Sequence, residues 1–327
     1  MSFNMNKMLF MIMLMMSIII VISSENWISL WMGMEMNMMM FMAIIAKKYN
    51  NKSSESMMIY FLIQSMGSMI FIYSIFMNKM CMLMTNMNIN MYYFIMLMSI
   101  MLKIGTAPFH FWLISMMSKM SWDNNLILMT LQKIIPMIII QIITNNYIIF
   151  IVIMSVIVGA IGGINQSSIK KMMGYSSINH MGWMMMSTLI ENEMWFKYFI
   201  IYSMMTVFMV KMFKEMMIMH MNQLNMITNK MMKINMIIMM MSMGGLPPLI
   251  GFFPKWMIIN KLINMNLIMP TLIMIMCSML TLYYYIRITI PFMMMKSMNN
   301  KWASFYSNKL IYMTSMNMIL PIIMMTI

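Results

Sequence analysis

Apolar runs about twenty residues long, separated by short polar connectors, recur along the whole of this chain and leave little choice of architecture. A bilayer core about 30 Å thick is crossed by roughly 20 helical residues. Cut wherever polar clusters interrupt them, the runs fall at 4–22, 27–46, 57–77, 91–117, 124–144, 147–166, 172–190, 194–213, 234–259, 267–290 and 309–327. Each must be a helix, because an unbonded peptide group is too costly in lipid and no strand-length alternation suggests a barrel. The expectation is an all-α polytopic membrane protein of about eleven transmembrane helices.

Composition closes the other routes. The chain has 327 residues, 62% hydrophobic and 9% charged, against about 45–50% and about 25% for soluble domains. Disorder needs the opposite balance. Methionine, a flexible gap filler, occurs 71 times, more than packing demands. Arg, Ala, Pro and Gly, whose codons are GC-rich, are all scarce. An AT-rich gene that reads AUA as Met accounts for both trends and points to a mitochondrial genome. Cys81 and Cys277 stand alone in apolar runs, so neither a disulfide framework, a zinc site nor a Cys-ligated iron–sulfur cluster is supported, and redox cofactors belong on other chains. Lys7 before Met8–Ile22 has the outline of a signal peptide, but Ser23-Ser24-Glu25-Asn26 is a weak cleavage site and the chain stays membrane-like beyond it. No Arg-rich transit peptide precedes it, as expected of a protein made inside the organelle.

The connectors sort by charge. The N-terminus and the loops after even-numbered spans carry Lys7; Lys47, Lys48 and Lys52; Lys119; Lys170 and Lys171; Lys214, Lys230 and Lys233; and Lys296, Lys301 and Lys309. The remaining loops hold little beyond Lys79, Lys261, Glu25, Glu191 and Glu193. By the positive-inside rule the N-terminus faces the matrix and the C-terminus the intermembrane space. The same asymmetry explains the net charge of +14. No nucleic acid is implied, since no basic patch with interleaved aromatics occurs.

Two spans are interrupted, at Leu102-Lys103-Ile104-Gly105-Thr106-Ala107-Pro108-Phe109-His110-Phe111-Trp112 and at Met243 to Trp256, which contains Gly244-Gly245, Pro247-Pro248, Gly251 and Pro254-Lys255. Proline removes an intrahelical hydrogen bond, so both should be discontinuous helices that expose backbone polar groups. The breaks lie five spans apart, each beside a lysine, the pattern of an inverted repeat around a membrane pathway. Residues 1–144 are then a first five-helix unit, 147–290 a second of opposite orientation, and 291–327 a matrix loop with a final helix.

Among the ionisable groups outside the connectors, the candidates are Glu35, Lys103, Lys133, Lys255, His110, His180 and Arg287. Charge inside a bilayer is expensive, so each is a functional candidate. Lys133 lies ten residues after Asp123, about 15 Å along a helix and near the midplane. Glu35 is equally deep, and Lys103 stands at the lip of the first break. A carboxylate and an ammonium that switch between paired and separated states suit a proton relay, although Glu35 could also merely neutralise Lys103. Lys255 is close enough to Lys261 that snorkelling competes with a relay role. His110 either passes protons through the break or caps it. His180 stands beside serines and a tyrosine that can order water, and Arg287 reads as an interfacial anchor beneath Tyr283-Tyr284-Tyr285. Gly159-Ala160-Ile161-Gly162-Gly163 follows no strand and reads as close helix packing.

Trp31 to Asn37, Leu102 to Trp112, Gln132 to Pro136, Gly162 to Gln166, Tyr175 to Trp183 and Gly244 to Trp256 run in order through residues 27–290. Together they resemble the organelle-encoded, antiporter-like membrane subunits of NADH:ubiquinone oxidoreductase, respiratory complex I. The resemblance implies a proton-translocating subunit of the mitochondrial inner membrane, part of an enzyme but without a redox or nucleotide site of its own. NAD, FMN, iron–sulfur clusters and ubiquinone would be bound by other subunits. Partners would be further membrane-arm subunits, other antiporter-like ones among them, and lipids such as cardiolipin. By motif, Glu35 and Lys103 look like a coupling pair, Lys133 like the central relay lysine and Lys255 like the lysine of the second broken helix. The chain departs from the wider family in lacking three N-terminal helices and in having Lys170-Lys171 where Arg-Lys is common. A stand-alone cation/proton antiporter and a non-conducting scaffold are the alternatives.

Overall fold

The computed structural model describes residues 5–46, 51–83, 89–143, 147–191, 193–226 and 230–294. The expected span at 309–327 and most of the loop before it lie outside them. Backbone hydrogen bonding is helical nearly throughout: α1 Met5–Ile22, α2 Trp27–Ile45, α3 Asn51–Leu83, α4 Ile89–Ile104, α5 Phe111–Lys119, α6 Trp122–Met129, α7 Leu131–Ile142, α8 Tyr147–Ile164, α9 Ile169–Ile190, α10 Met194–Glu215, α11 Lys230–Gly244, α12 Phe252–Asn264 and α13 Ile268–Met294. A single 3₁₀ turn, Met221–Met226, follows α10. The chain divides into two compact units, 1–148 and 149–327.

Among the described residues seven segments are long and apolar enough to cross a membrane: α1, α2, most of α3, the stretch Trp122–Ile142, α8, α10 and most of α13. Their outer faces explain why. α1 buries Leu14, Ser17, Ile18 and Val21 at helical spacing, while Met8, Ile12, Met15 and Ile19 on the other side remain exposed. An outer face this apolar suits lipid and would be an aggregation liability in water. α9 is absent from the seven for the converse reason. Almost every side of it is buried, Gly174 to Thr188 included except Tyr175, so it carries Ser, Asn and His where lipid-facing helices carry Met and Ile. α4 and α11 are too short, because each is half of an interrupted span.

In the first unit α1 lies against α2 at Gly33, where a Cβ would fall on Val21. α3 packs against α2, α4 and α5. In the second unit the glycines of α8 do what the sequence suggests: Gly159 meets the backbone of Asn179 and Gly162 the ring of Tyr175, both on α9. One expected helix is different. The span 124–144 is not continuous: α6 stops at Met129 and α7 begins at Leu131, because Thr130 between them, with φ −114° and ψ −82°, leaves the helical region. The Thr130 hydroxyl donates to Leu126 O at 2.8 Å, and the Lys133 N–H donates to Thr130 O at 3.0 Å. A β-branched residue that can bond its own preceding turn makes this break, six residues before Pro136.

Candidate functional site

The first interruption is built so that its freed backbone groups are satisfied. α4 ends at Ile104, and Gly105 turns the chain with φ +75°, a conformation that other L-residues rarely adopt. The peptide Ala107-Pro108 is cis. Leu102 O and Lys103 O would be orphans at the end of the helix. Trp112 Nε1 donates to the first at 3.1 Å and Gln64 Nε2 to the second at 2.9 Å. His110 is the residue before α5; its Nδ1 lies 3.1 Å from Pro108 O, and its carbonyl accepts from Leu113 N–H.

Lys103 is buried, with its ammonium 3.5 Å from Met34 Sδ. Its stem crosses α3 at Gly67, where a Cβ would sit 2.9 Å from Lys103 Cγ. Glu35, half-buried on α2, is near enough for its charge to be felt at Lys103 and at Tyr60. It does not form a contact ion pair with Lys103, and its Oε1 is buried without a hydrogen-bond partner among the described residues. Lys133, 2% exposed, enters from α7 just after the Thr130 break. Lys103 and Lys133 line one cavity of about 30 Å³, walled also by Met34, Asn37, Tyr60, Gln64, Trp112 and Gln132. A site of that size and polarity holds one or two waters. Tyr60, Gln64 and Asn37 escape a search for charges; the available signal was neutral polar residues one turn apart in an otherwise apolar span.

The second unit has a parallel arrangement with a different cap. α11 ends at Gly244, and Gly245 takes φ +85°. Lys255, buried on α12, reaches back and donates to Gly244 O at 2.9 Å. It therefore does not snorkel. The lysine that stays at the surface is Lys261, which pairs with Glu191. His180 is buried on α9, its Nδ1 2.8 Å from the Tyr198 hydroxyl and its ring 4.9 Å from that of Tyr202.

Three sequence expectations change in this unit. Tyr284 and Tyr285 are buried, and only Tyr283 of the three faces outward. Arg287 is not simply an anchor: its Nη1 donates to Ile164 O at 2.9 Å, capping the end of α8. Lys170 and Lys233, assigned to connectors, are buried within α9 and α11. Among the described residues no group of three or more His, Cys, Asp or Glu side chains could hold a metal ion.

The model of the NADH:quinone oxidoreductase/Mrp antiporter transmembrane family matches residues 24–281. NADH-ubiquinone oxidoreductase chain 2 of Locusta migratoria is 39% identical over 313 residues, 94% of this chain and 92% of its own. The sheep protein of the same name, from Ovis aries, is 39% identical over 84% of this chain and 82% of its own. A chain of respiratory complex I from Thermus thermophilus superposes with TM-score 0.81 at 16% identity, covering 99% of this chain and 78% of its own. A chain of the Mrp complex from Dietzia sp. gives 0.75 at 13%, covering 85% and 59%. At such identities these two likenesses speak for the fold. By the family match and the two relatives, the chain belongs to the NADH:quinone oxidoreductase/Mrp antiporter family of membrane proteins.

Proposed function

We propose that the chain is a proton-translocating membrane subunit of NADH:ubiquinone oxidoreductase, and that Glu35, Lys103, Lys133 and Lys255 carry its protons, with His110 beside the first break. The observation that carries this is the burial of Lys103 and Lys133 around one water-sized polar cavity next to a broken helix, in a chain whose relatives are named NADH-ubiquinone oxidoreductase chain 2. The rest of the proposal rests on the sequence: about eleven spans, two successive five-helix units of inverted topology whose breaks lie five spans apart, an inner mitochondrial membrane setting, a matrix-side N-terminus, membrane-arm partners and redox groups held by other chains.

In the first unit an ammonium facing the cavity gives a proton to water, and that water gives one to the opposite amine. Two ammonium groups across so small a space repel, so loading one favours unloading the other. Glu35 supplies the countercharge that biases which lysine is loaded. Electron transfer elsewhere in the enzyme needs only to change that bias. In the second unit Lys255 is the corresponding proton carrier, held in register by the Gly244 carbonyl.

Lys133→Met in the assembled oxidoreductase is the test. Proton translocation per NADH oxidised falls while assembly persists. Unchanged stoichiometry with normal assembly would favour a scaffold that conducts nothing.

A further inference from the structure

Three neutral side chains form a continuous string along the cavity of the first unit. The Tyr60 hydroxyl on α3 donates to Gln132 Oε1 on α7 at 2.9 Å, and Gln132 Nε2 donates to Asn37 Oδ1 on α2 at 2.9 Å. Its middle member, Gln132, adjoins Lys133 in the chain, and its last, Asn37, lies two residues from Glu35. All three side chains line the cavity that Lys103 and Lys133 also line. Tyr60 is held by rings on both sides, Phe41 at 5.0 Å and Trp112 at 6.2 Å between centroids.

A carboxamide donates from one end and accepts at the other, and a phenol does both. The string therefore has two self-consistent polarities. In the one described, Tyr60 gives its only proton to Gln132, and its oxygen can offer the cavity lone pairs alone. In the reverse, Asn37 Nδ2 donates to Gln132 Oε1 and Gln132 Nε2 donates to the Tyr60 oxygen, which releases the phenolic O–H to donate into the cavity. Reversal needs only a half-turn of two amides about terminal torsions that are broad and roughly two-fold. Every proton stays on its own heavy atom, and no bond is made or broken beyond hydrogen bonds. The first polarity complements an ammonium, or a water fed by one. The second complements a neutral amine that needs a donor.

We propose that Tyr60, Gln132 and Asn37 are positioning residues of the proton relay, a string that reverses with each proton passed between Lys103 and Lys133. This deepens the relay proposed above and rests on it. None of the three takes the proton itself.

The test uses the assembled oxidoreductase carrying Tyr60→Phe, Asn37→Leu or Asn37→Asp, with Lys133→Met beside them. Asn37→Asp discriminates most sharply: the carboxylate still accepts from Gln132, so the described string stands, but it has no N–H with which to reverse. Expected are normal assembly, normal NADH oxidation by an artificial acceptor, and proton translocation slowed roughly five- to thirtyfold, the factor that one lost hydrogen bond sets. The double variant Tyr60→Phe with Asn37→Asp should be no slower than either single one, because both break the same device. Wild-type translocation in Asn37→Asp, or losses that add in the double variant, overturns the string while leaving the relay standing. Wild-type translocation in Lys133→Met overturns the relay and the string with it. If Asn37→Leu fails to assemble, Tyr60→Phe, which deletes one oxygen, carries the same test.

Discussion

Gly67→Ala separates the stability of the first unit from its chemistry. The added Cβ would lie 2.9 Å from Lys103 Cγ, 3.3 Å from Lys103 Cε and 3.3 Å from Ser99 O. Carbon atoms are comfortable at about 3.5–4.0 Å, so the worst overlap is about 0.6 Å. Ser99 O belongs to the backbone of α4 and resists, whereas the lysine stem can move. Overpacking of this kind costs about 1–3 kcal/mol, and replacing glycine by alanine within a helix returns about 1 kcal/mol. The net loss of stability is therefore about 0–2 kcal/mol, too little to prevent assembly. Function is affected more, because relief comes from shifting the stem of Lys103, which lines the cavity. Misplacement of a reacting group by about 1 Å can cost on the order of a hundredfold in rate. The expected result is a thermal transition of the assembled complex within a few degrees of wild type, and proton translocation slowed tenfold or more. Translocation is read with a pH-sensitive dye in vesicles containing the complex, and Lys103→Met sets the floor. Wild-type translocation at wild-type assembly would refute the idea that α3 leaves this gap for Lys103.

Lys255→Met removes the ammonium that caps Gly244 O; a hydrogen bond to a charged group is worth about 1.5–3 kcal/mol, so both thermal stability and proton translocation should fall, as unfolding and vesicle assays would register. Lys261→Met removes only the partly exposed pair with Glu191 and should leave both measurements unmoved; equal losses from the two variants would mean that charge, and not position, matters. Gly105→Ala forces a side chain into φ +75° with contacts of 3.1 Å to Leu113 and Trp112, and the complex should unfold earlier by more than the roughly 0.4–1 kcal/mol at stake for compatible glycines.

What the sequence made legible follows from how strongly each feature is punished in lipid. Buried lysines and a Gly-Pro interruption are costly enough to stand out against any apolar background, so Lys103, Lys133, Lys255 and both half-helix junctions could be named from hydropathy and spacing. Neutral polar groups are not. Tyr60 and Gln64 barely dent the mean hydropathy of α3, and their importance lies in partners 39 and 72 residues away, which no local pattern contains. The Thr130 break was hidden because threonine is tolerated in ordinary transmembrane helices. Tyr284 and Tyr285 were misjudged because each step along a helix turns about 100°, so three consecutive tyrosines cannot all face one way. Lys170 and Lys233 were lost to the connectors because helices α9 and α11 begin earlier than their apolar runs.

The two half-helix lysines stand in opposite mechanical relations to their own backbone. Lys103 is part of the last turn of the helix that stops, and the carbonyl it leaves behind is held by Gln64, so its ammonium is a lever that swings without undoing anything. Lys255 belongs to the helix that resumes and is itself the latch on the helix that stopped. When Lys255 gives up its proton, α11 loses the positive charge at its negative end, an interaction worth about 0.3–1 kcal/mol at exposed sites and up to about 2 kcal/mol when partly buried. In the proposed relay, a proton leaving the first unit's lever changes an occupancy, whereas one leaving the second unit's latch loosens a joint. Of the two interruptions, the first has its freed carbonyls held by the neutral side chains of Gln64 and Trp112, and the second has Gly244 O held by a side chain whose charge can change.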